Sequence, residues 1–406
     1  MKIAYFSCQM PYPATHGGLV DDWARLNAMK AAGVRLALTT WYADTGAPLP
    51  DAHRQALHGV AEVVNTLPIS ATFSDRVKRL LNLVRWPSHV SSRVPGKQAM
   101  AELWRSLDTF QPDAIWLDAI YPTVLAQRAA KRYGVPMFYR SHNIEHCYML
   151  GQVERASSVR NRLAWSMNLP HLKRIEFETW RAAALVFDIS MDDMQWWSQQ
   201  GFMHGRWLPP LVNPEKVNAL SAPYDATPRF DLGYLGNLRT PNNVEGVLWF
   251  LGEAWPRLLS GMPGLTFLLA GSAPDPAIRA AVKKAKQVTL LENPPDVIPV
   301  LRDAKVLINP IFSGSGVNVK SVEMIFTPAR LVAAPQGVVG LPDNVRDCFA
   351  VAQDVDGFVN AIKLALEKGP MTLPSELMAR QAARSEFDYS RISRVLKDMQ
   401  STLNRN

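Results

Sequence analysis

The chain has only three cysteines, Cys8, Cys147 and Cys348, far apart and without a C-x-x-C pair. That scarcity excludes a disulfide framework and a cysteine zinc site as organising features, and it makes a reducing compartment the expected setting. Also absent is any stretch near the roughly 18 to 20 uninterrupted apolar residues that a membrane-spanning helix needs. The opening residues, MKIAYFSCQMPYPATHGG, carry one lysine and a short apolar stretch broken by prolines. A secretory signal would show a longer apolar run and a small-residue cleavage site. Short internal repeats and low-complexity tracts are missing as well. Together these absences point to a cytoplasmic globular protein, with any membrane contact peripheral.

At 406 residues the chain is too long for one ordinary core and suits two domains. Its formal net charge of +8 favours acidic partners, among them phosphorylated substrates, anionic membrane surfaces and nucleic acid. The charge is too dispersed for a nucleic-acid module, so none is expected. Lys2 to Ser7 reads as a buried strand, a helix runs from about Leu19 to Ala32, Gly33 stops it, and Val34 to Thr40 is the next strand. This βαβ rhythm continues through short strands at Ala61 to Leu67, Ala114 to Leu117 and Pro136 to Tyr139. Residues 209–228, rich in proline and short polar side chains, read as a linker between domains 1–208 and 229–383. Strand signals restart at Phe230 to Leu235, Thr266 to Ala270, Val288 to Leu291, Val306 to Asn309, Arg330 to Ala334 and Phe349 to Ala352. The expected fold class is α/β, with two doubly wound, Rossmann-like domains facing across a cleft that holds the ligand.

The stretch Asn309 to Leu341 joins a strand, a glycine turn at Gly314-Ser315-Gly316 and a helix from Val317 onward. A strand feeding a helix start is an anion site, because backbone N–H groups there lack partners, and Lys320 adds a full charge. Glu323, one turn on, suits a pair of sugar hydroxyls instead. Phosphate plus ribose means a nucleotide. An ordinary loop and surface helix is the competing reading.

Two basic stretches stand out. Arg76 to Arg105 carries Arg76, Lys78, Arg79, Arg85, Arg93, Lys97 and Arg105 against one acid, Glu102, interleaved with leucines, Trp86 and Trp104. It fits either an anionic lipid surface or a solvated face packing its leucines onto the sheet. Arg155 to Arg181 reads as one or two long, exposed helices carrying both charges.

With these pieces assembled, the chain resembles GT-B glycosyltransferases, most closely glycosyltransferase family 4 and relatives that build bacterial surface polysaccharide. The carriers are His16-Gly17-Gly18, the run Arg140-Ser141-His142-Asn143-Ile144-Glu145, the block FDLGYLGNLRTPNNVEGVLWF from Phe230, the strand LLAGS ending at Ser272, and GSGVNVKSVEM. The resemblance implies a nucleotide-sugar donor in the second domain and a glycan or lipid-diphosphate-linked acceptor in the first. It implies a last helix, within 384–406, crossing back to the first domain, and no cofactor or metal. Lys320 would hold the donor diphosphate, Arg239 would add a second charge, and Glu323 would take the ribose. Gly17, Gly18, Asn237, Gly271, Ser315, Gly316 and Val317 would complete the donor site. Many relatives carry a glutamate eight positions before the second one, and here Ser315 stands in its place.

Family 4 resemblance implies retention, in which the departing phosphate oxygen takes the acceptor proton and no protein base is required. His142 would then contact the sugar or phosphate. If the reaction inverts, a carboxylate must act as base, and Asp118 is the best placed, ahead of Asp21, Asp22 and Glu145. Asp118 reads equally as the cap of a helix starting near Tyr121. The one Asp-x-Asp triplet, Asp354-Val355-Asp356, reads as a helix cap rather than a metal site. An inactive scaffold protein and a nucleotide-sugar epimerase remain the alternatives to transfer.

Overall fold

The computed structural model describes residues 1–15, 17–43, 49–69, 86–155, 158–222, 227–314 and 316–405. Two units make up the chain, residues 1–209 with 390–406, and residues 210–389.

The first unit is built on a seven-stranded sheet of β1 (Lys2–Ser7), β2 (Arg35–Ala43), β3 (Val63–Ile69), β4 (Ala114–Asp118), β5 (Met137–Ser141), β6 (Leu185–Asp188) and β7 (Gly205–Trp207). All neighbours run parallel, in the order β3-β2-β1-β4-β5-β6-β7. The direction of winding reverses between β1 and β4, which makes their C-terminal ends the natural ligand edge. The continuous apolar runs of β1 and β4 are covered on both faces, as parallel sheets require. β6 and β7, of four and three residues, carry too little pattern to be read from sequence. The helix Ser390–Leu403 belongs to this unit, with the Arg391 guanidinium 4.8 Å from the ring centre of Trp207.

The second unit has six parallel strands, β8 (Phe230–Asn237), β9 (Phe267–Ser272), β10 (Val288–Glu292), β11 (Ala304–Asn309), β12 (Arg330–Ala333) and β13 (Ala350–Val351), in the order β10-β9-β8-β11-β12-β13. Winding reverses between β8 and β11. Phe250, Trp255, Phe267 and Phe358 fill the core against the sheet.

The structure adds detail to two stretches. The stretch 209–228 is more than a linker, because Pro214–Ser221 is a helix whose first turn is capped by Asn213 accepting from Lys216 N at 2.7 Å. Pro214 sits at the first helical position, where its missing N–H costs nothing. The second concerns the basic stretch Arg76 to Arg105. Residues 76–85 lie outside the described residues, but beyond them Trp86 and Trp104 pack against the first core and Leu103 is buried in it. The aromatic residues of that part face the protein, not a lipid surface.

Candidate active site

In the second unit, β11 ends at Asn309, and the chain turns through Gly314 and Gly316 at φ of +143° and +68°. A side chain would strain such a backbone. The following helix spans Val319–Ile325, so it starts two residues later than expected and Val317 precedes it. With only seven residues its dipole is small, and Lys320 is the side chain of this helix that can bring a full positive charge to a bound anion. Ser321 Oγ anchors the helix, accepting from Asn309 Nδ2 at 2.8 Å and donating to the Gly337 carbonyl at 2.6 Å. At the other end Arg384 donates to the Ile325 and Thr327 carbonyls at 2.9 and 3.1 Å, satisfying groups a helix C-terminus leaves open.

Lys320 Nζ donates to the Tyr234 hydroxyl at 2.7 Å and to Asn243 Oδ1 at 2.8 Å. Both partners are neutral. Burial therefore pushes the ammonium well below its ordinary range, with no carboxylate to oppose it. Asn243 is itself fixed by Nδ2 donating to the Asn237 carbonyl at 2.8 Å, at the end of β8. Glu323 lies on the same helix and accepts from Lys216 Nζ at 2.5 Å. The carboxylate read as a ribose acceptor thus already holds one cation.

The remaining donor-side residues divide. Arg239 is exposed on the turn after β8, where its backbone N–H donates to Asn237 Oδ1 at 3.0 Å. Gly271 has a packing role, since a Cβ there would come within 1.8 Å of the Gly236 carbonyl oxygen on β8. Gly316 and Val317 are half-buried beside the Lys320 helix. Ser315, like His16 in the other unit, lies outside the described residues. Gly17 and Gly18 form the exposed first turn of the helix Gly17–Ala31 rather than a turn before it.

In the first unit, that helix aims Asp21, Asp22 and Arg25 under the C-terminal ends of β1, β4 and β5. Arg25 pairs with Asp21 at 2.7 Å and with Asp118 at 2.5 Å, and Arg140 pairs with Asp21 at 3.0 Å. All are buried. Asp22 accepts from Tyr5 at 2.5 Å and Ser7 at 2.6 Å, and burial, with Asp118 beside it, pushes its carboxyl up to about 7. Burial pushes Asp118 up too, but Arg25 and His142 outweigh it and hold the carboxyl below its usual range. Asp118 caps no helix, because the next one spans Thr123–Tyr133 behind Pro122. Its carboxylate is buried and paired with Arg25. His142 is the most accessible member of this network, its side chain 16% accessible, with Nε2 3.2 Å from Asp118 Oδ1.

Glu145 opens the helix Glu145–Arg155 and accepts from the Tyr121 hydroxyl at 3.2 Å. Burial and the nearby Glu176 push its carboxyl up to about 7. Glu176 is held by the backbone N–H groups of Glu145 and His146 at 2.7 and 3.1 Å.

Residues 229–368 match the family described as glycosyl transferases group 1. Sucrose-phosphate synthase from Thermosynechococcus elongatus superposes with a TM-score of 0.66 at 14% identity, over 100% of this chain and 99% of that one. The chain has the GT-B glycosyltransferase fold. The Anabaena protein HepE, solved in complex with UDP, shares this GT-B fold with a TM-score of 0.63 at 15% identity, over 99% of this chain and 100% of that one. A Klebsiella pneumoniae protein described as an uncharacterized 44.6 kDa protein in cps region is 24% identical over 373 residues, 87% of this chain and 88% of that one.

Within this GT-B chain, sequence reasoning missed Lys216, Tyr234, Asn243 and Arg25. Asn213-Pro214-Glu215 ahead of Lys216 was a legible helix start. Tyr234 and Asn243 carried no comparable signal, since they act only by folding onto Lys320. The Asp-x-Asp triplet does cap a helix, with Asp354 accepting from Gly357 N at 2.8 Å, while Asp356 pairs with Arg257 at 2.5 Å.

Proposed function

We propose that the protein transfers a sugar from a nucleoside-diphosphate sugar to a glycan or lipid-linked acceptor in bacterial surface-polysaccharide synthesis, with retention and without a metal. The observation that carries the reading is Lys320, an amine whose partners are the neutral Tyr234 hydroxyl and Asn243 amide, with no carboxylate to hold its charge. Such a group gains most from an anion, and a diphosphate supplies one. Glu323 serves the ribose, and Arg239, exposed on its turn, adds a second charge to the diphosphate. The complexes of HepE with UDP and with UDP-glucose make a uridine diphosphate sugar the first donor to test.

Transfer breaks the bond between the anomeric carbon and the diphosphate oxygen and forms one to the acceptor oxygen. The departing phosphate oxygen takes the acceptor proton, leaving glycosylated acceptor and nucleoside diphosphate. Lys320 stabilises the charge growing on that oxygen, which is the larger part of the catalysis asked of the protein. His142 serves the sugar or acceptor side.

Thermal unfolding of wild type and Lys320→Ala with a panel of nucleoside diphosphates tests the reading, since a ligand of the folded state raises apparent stability. Wild type should be stabilised by at least one of them and Lys320→Ala much less. Equal stabilisation of both, or of neither, would contradict the proposal. The alternative of an inactive scaffold rests on Ser315 standing where many relatives carry glutamate, and transfer or donor hydrolysis by purified protein would remove it.

A further inference from the structure

The helix Val159–Ala182 is divided along its length. Its second half is anchored, with Leu172, Ile175 and Trp180 buried in the first core. Its first half leaves one face open, with Val159, Leu163 and Met167 81%, 62% and 67% exposed. Spaced at i, i+4 and i+8, they form one apolar stripe along a single helix face. Exposed Arg160 lies on one flank, exposed Arg162 and Lys173 on the other, and no acidic residue occurs between Arg155 and Ile175. Arg174 continues the stripe toward the core and pairs with Glu178 at 3.8 Å.

An apolar stripe of this kind contributes nothing to the fold while it faces water, and contiguous exposed apolar surface marks an interaction site. The rim decides the partner. A second copy of the chain would bring two rims of like charge together, which is unfavourable. An anionic lipid surface complements both parts, taking the apolar side chains into the acyl boundary and the guanidinium groups among its phosphates. We infer that the first half of the helix Val159–Ala182 docks the protein on an anionic membrane face through Val159, Leu163 and Met167, with Arg160, Arg162 and Lys173 around them. In Arg76 to Arg105, by contrast, the described aromatic residues Trp86 and Trp104 pack against the core. The inference deepens the lipid-linked branch of the proposed function and rests on it for its biological sense, but docking itself is measured without donor or acceptor.

The test is co-sedimentation of the full chain with vesicles of phosphatidylglycerol and phosphatidylcholine, compared with pure phosphatidylcholine, at low and high salt. Wild type should bind the anionic vesicles, more weakly as salt rises, and bind neutral ones poorly. The pair Leu163→Glu with Met167→Glu should weaken binding at least tenfold, and Arg160→Gln or Arg162→Gln about fivefold each. Because these side chains are exposed, unfolding midpoints and stabilisation by nucleoside diphosphates should stay at wild-type values. A failure of docking alone is thereby separated from a failure of donor binding. Absence of wild-type binding, or binding unchanged in the variants, overturns the inference. So does a dimer that the variants dissociate while vesicle binding persists, which would assign the stripe to a second copy.

Discussion

Lys216 Nζ lies 2.5 Å from Glu323 Oε1, joining the first helix of the second unit to the helix that carries Lys320. The pair is partly shielded, with side chains 21% and 12% accessible, so the charge on Glu323 is held in place without being sealed off. A carboxylate has about four acceptor sites, and one ammonium leaves room for sugar hydroxyls.

Lys216→Met should therefore weaken binding of a ribonucleoside diphosphate while affecting its 2′,3′-dideoxy analogue less. Loss of one hydrogen bond to a charged group is worth about 1.5 to 3 kcal/mol at most, or roughly ten- to hundredfold. Titration calorimetry on Lys216→Met, Glu323→Gln and the double variant checks this, and strict additivity of the two changes would show that they do not act together.

Tyr234 and Asn243 make a separate prediction about pH. The free Lys320 ammonium is pushed down by burial, whereas a bound diphosphate would favour its charged form. Binding then favours the protonated amine, and nucleoside-diphosphate affinity should fall as pH rises toward the ordinary lysine range. Lys320→Gln should bind weakly and lack that slope. Tyr234→Phe should retain the slope and lose roughly fivefold in affinity, the worth of one hydrogen bond. A slope persisting in Lys320→Gln would place the titrating group elsewhere.

Periodicity exposed the two sheets because their central strands are continuous apolar runs, a local property. Short edge strands such as Gly205–Trp207 take their identity from their neighbours, and no local pattern announces them. The candidate site was legible where one segment carries it, as at Lys320 and Glu323, two residues of a single helix turn. It was illegible where distant segments converge. Asp118 reads as a free carboxylate until the fold brings Arg25, 93 positions away, against it. Proline misled at 209–228, because the same residue that breaks a helix interior also starts one.

The network around Arg25 separates stability from activity. Removing a buried charge that faces three carboxylates, Asp21, Asp22 and Asp118, leaves them poorly compensated, so Arg25→Met should cost about 3 to 5 kcal/mol of stability by denaturant unfolding. His142 sits at the accessible end of the same network, and His142→Gln should lower turnover tenfold or more while changing stability by less than about 1 kcal/mol. If His142→Gln proves as destabilising as Arg25→Met and leaves turnover intact, its role is structural.

The buried acids of the first unit give stability a direction with pH. Glu145 and Asp22 are each pushed up to about 7, and Asp188 to about 8, chiefly by burial. An acid whose pKa is raised in the folded state binds its proton more tightly there than in the unfolded chain. Its contribution is fully present below the unfolded value near 4 and is lost as pH rises through the folded value. Stability should accordingly decline between about pH 5 and 8, in contrast to the usual gain from carboxylates paired in the folded state. Below about pH 4 the opposite trend takes over, as Asp21 and Asp118, held low by their arginines, become protonated. Glu145→Gln keeps the shape of the side chain and removes one titration. Urea unfolding at pH 5, 6, 7 and 8 should show its decline shallower than that of wild type by on the order of 3 kcal/mol. Parallel curves for the two proteins would mean that Glu145 is ionised throughout, and that the Tyr121 hydroxyl stabilises its charge.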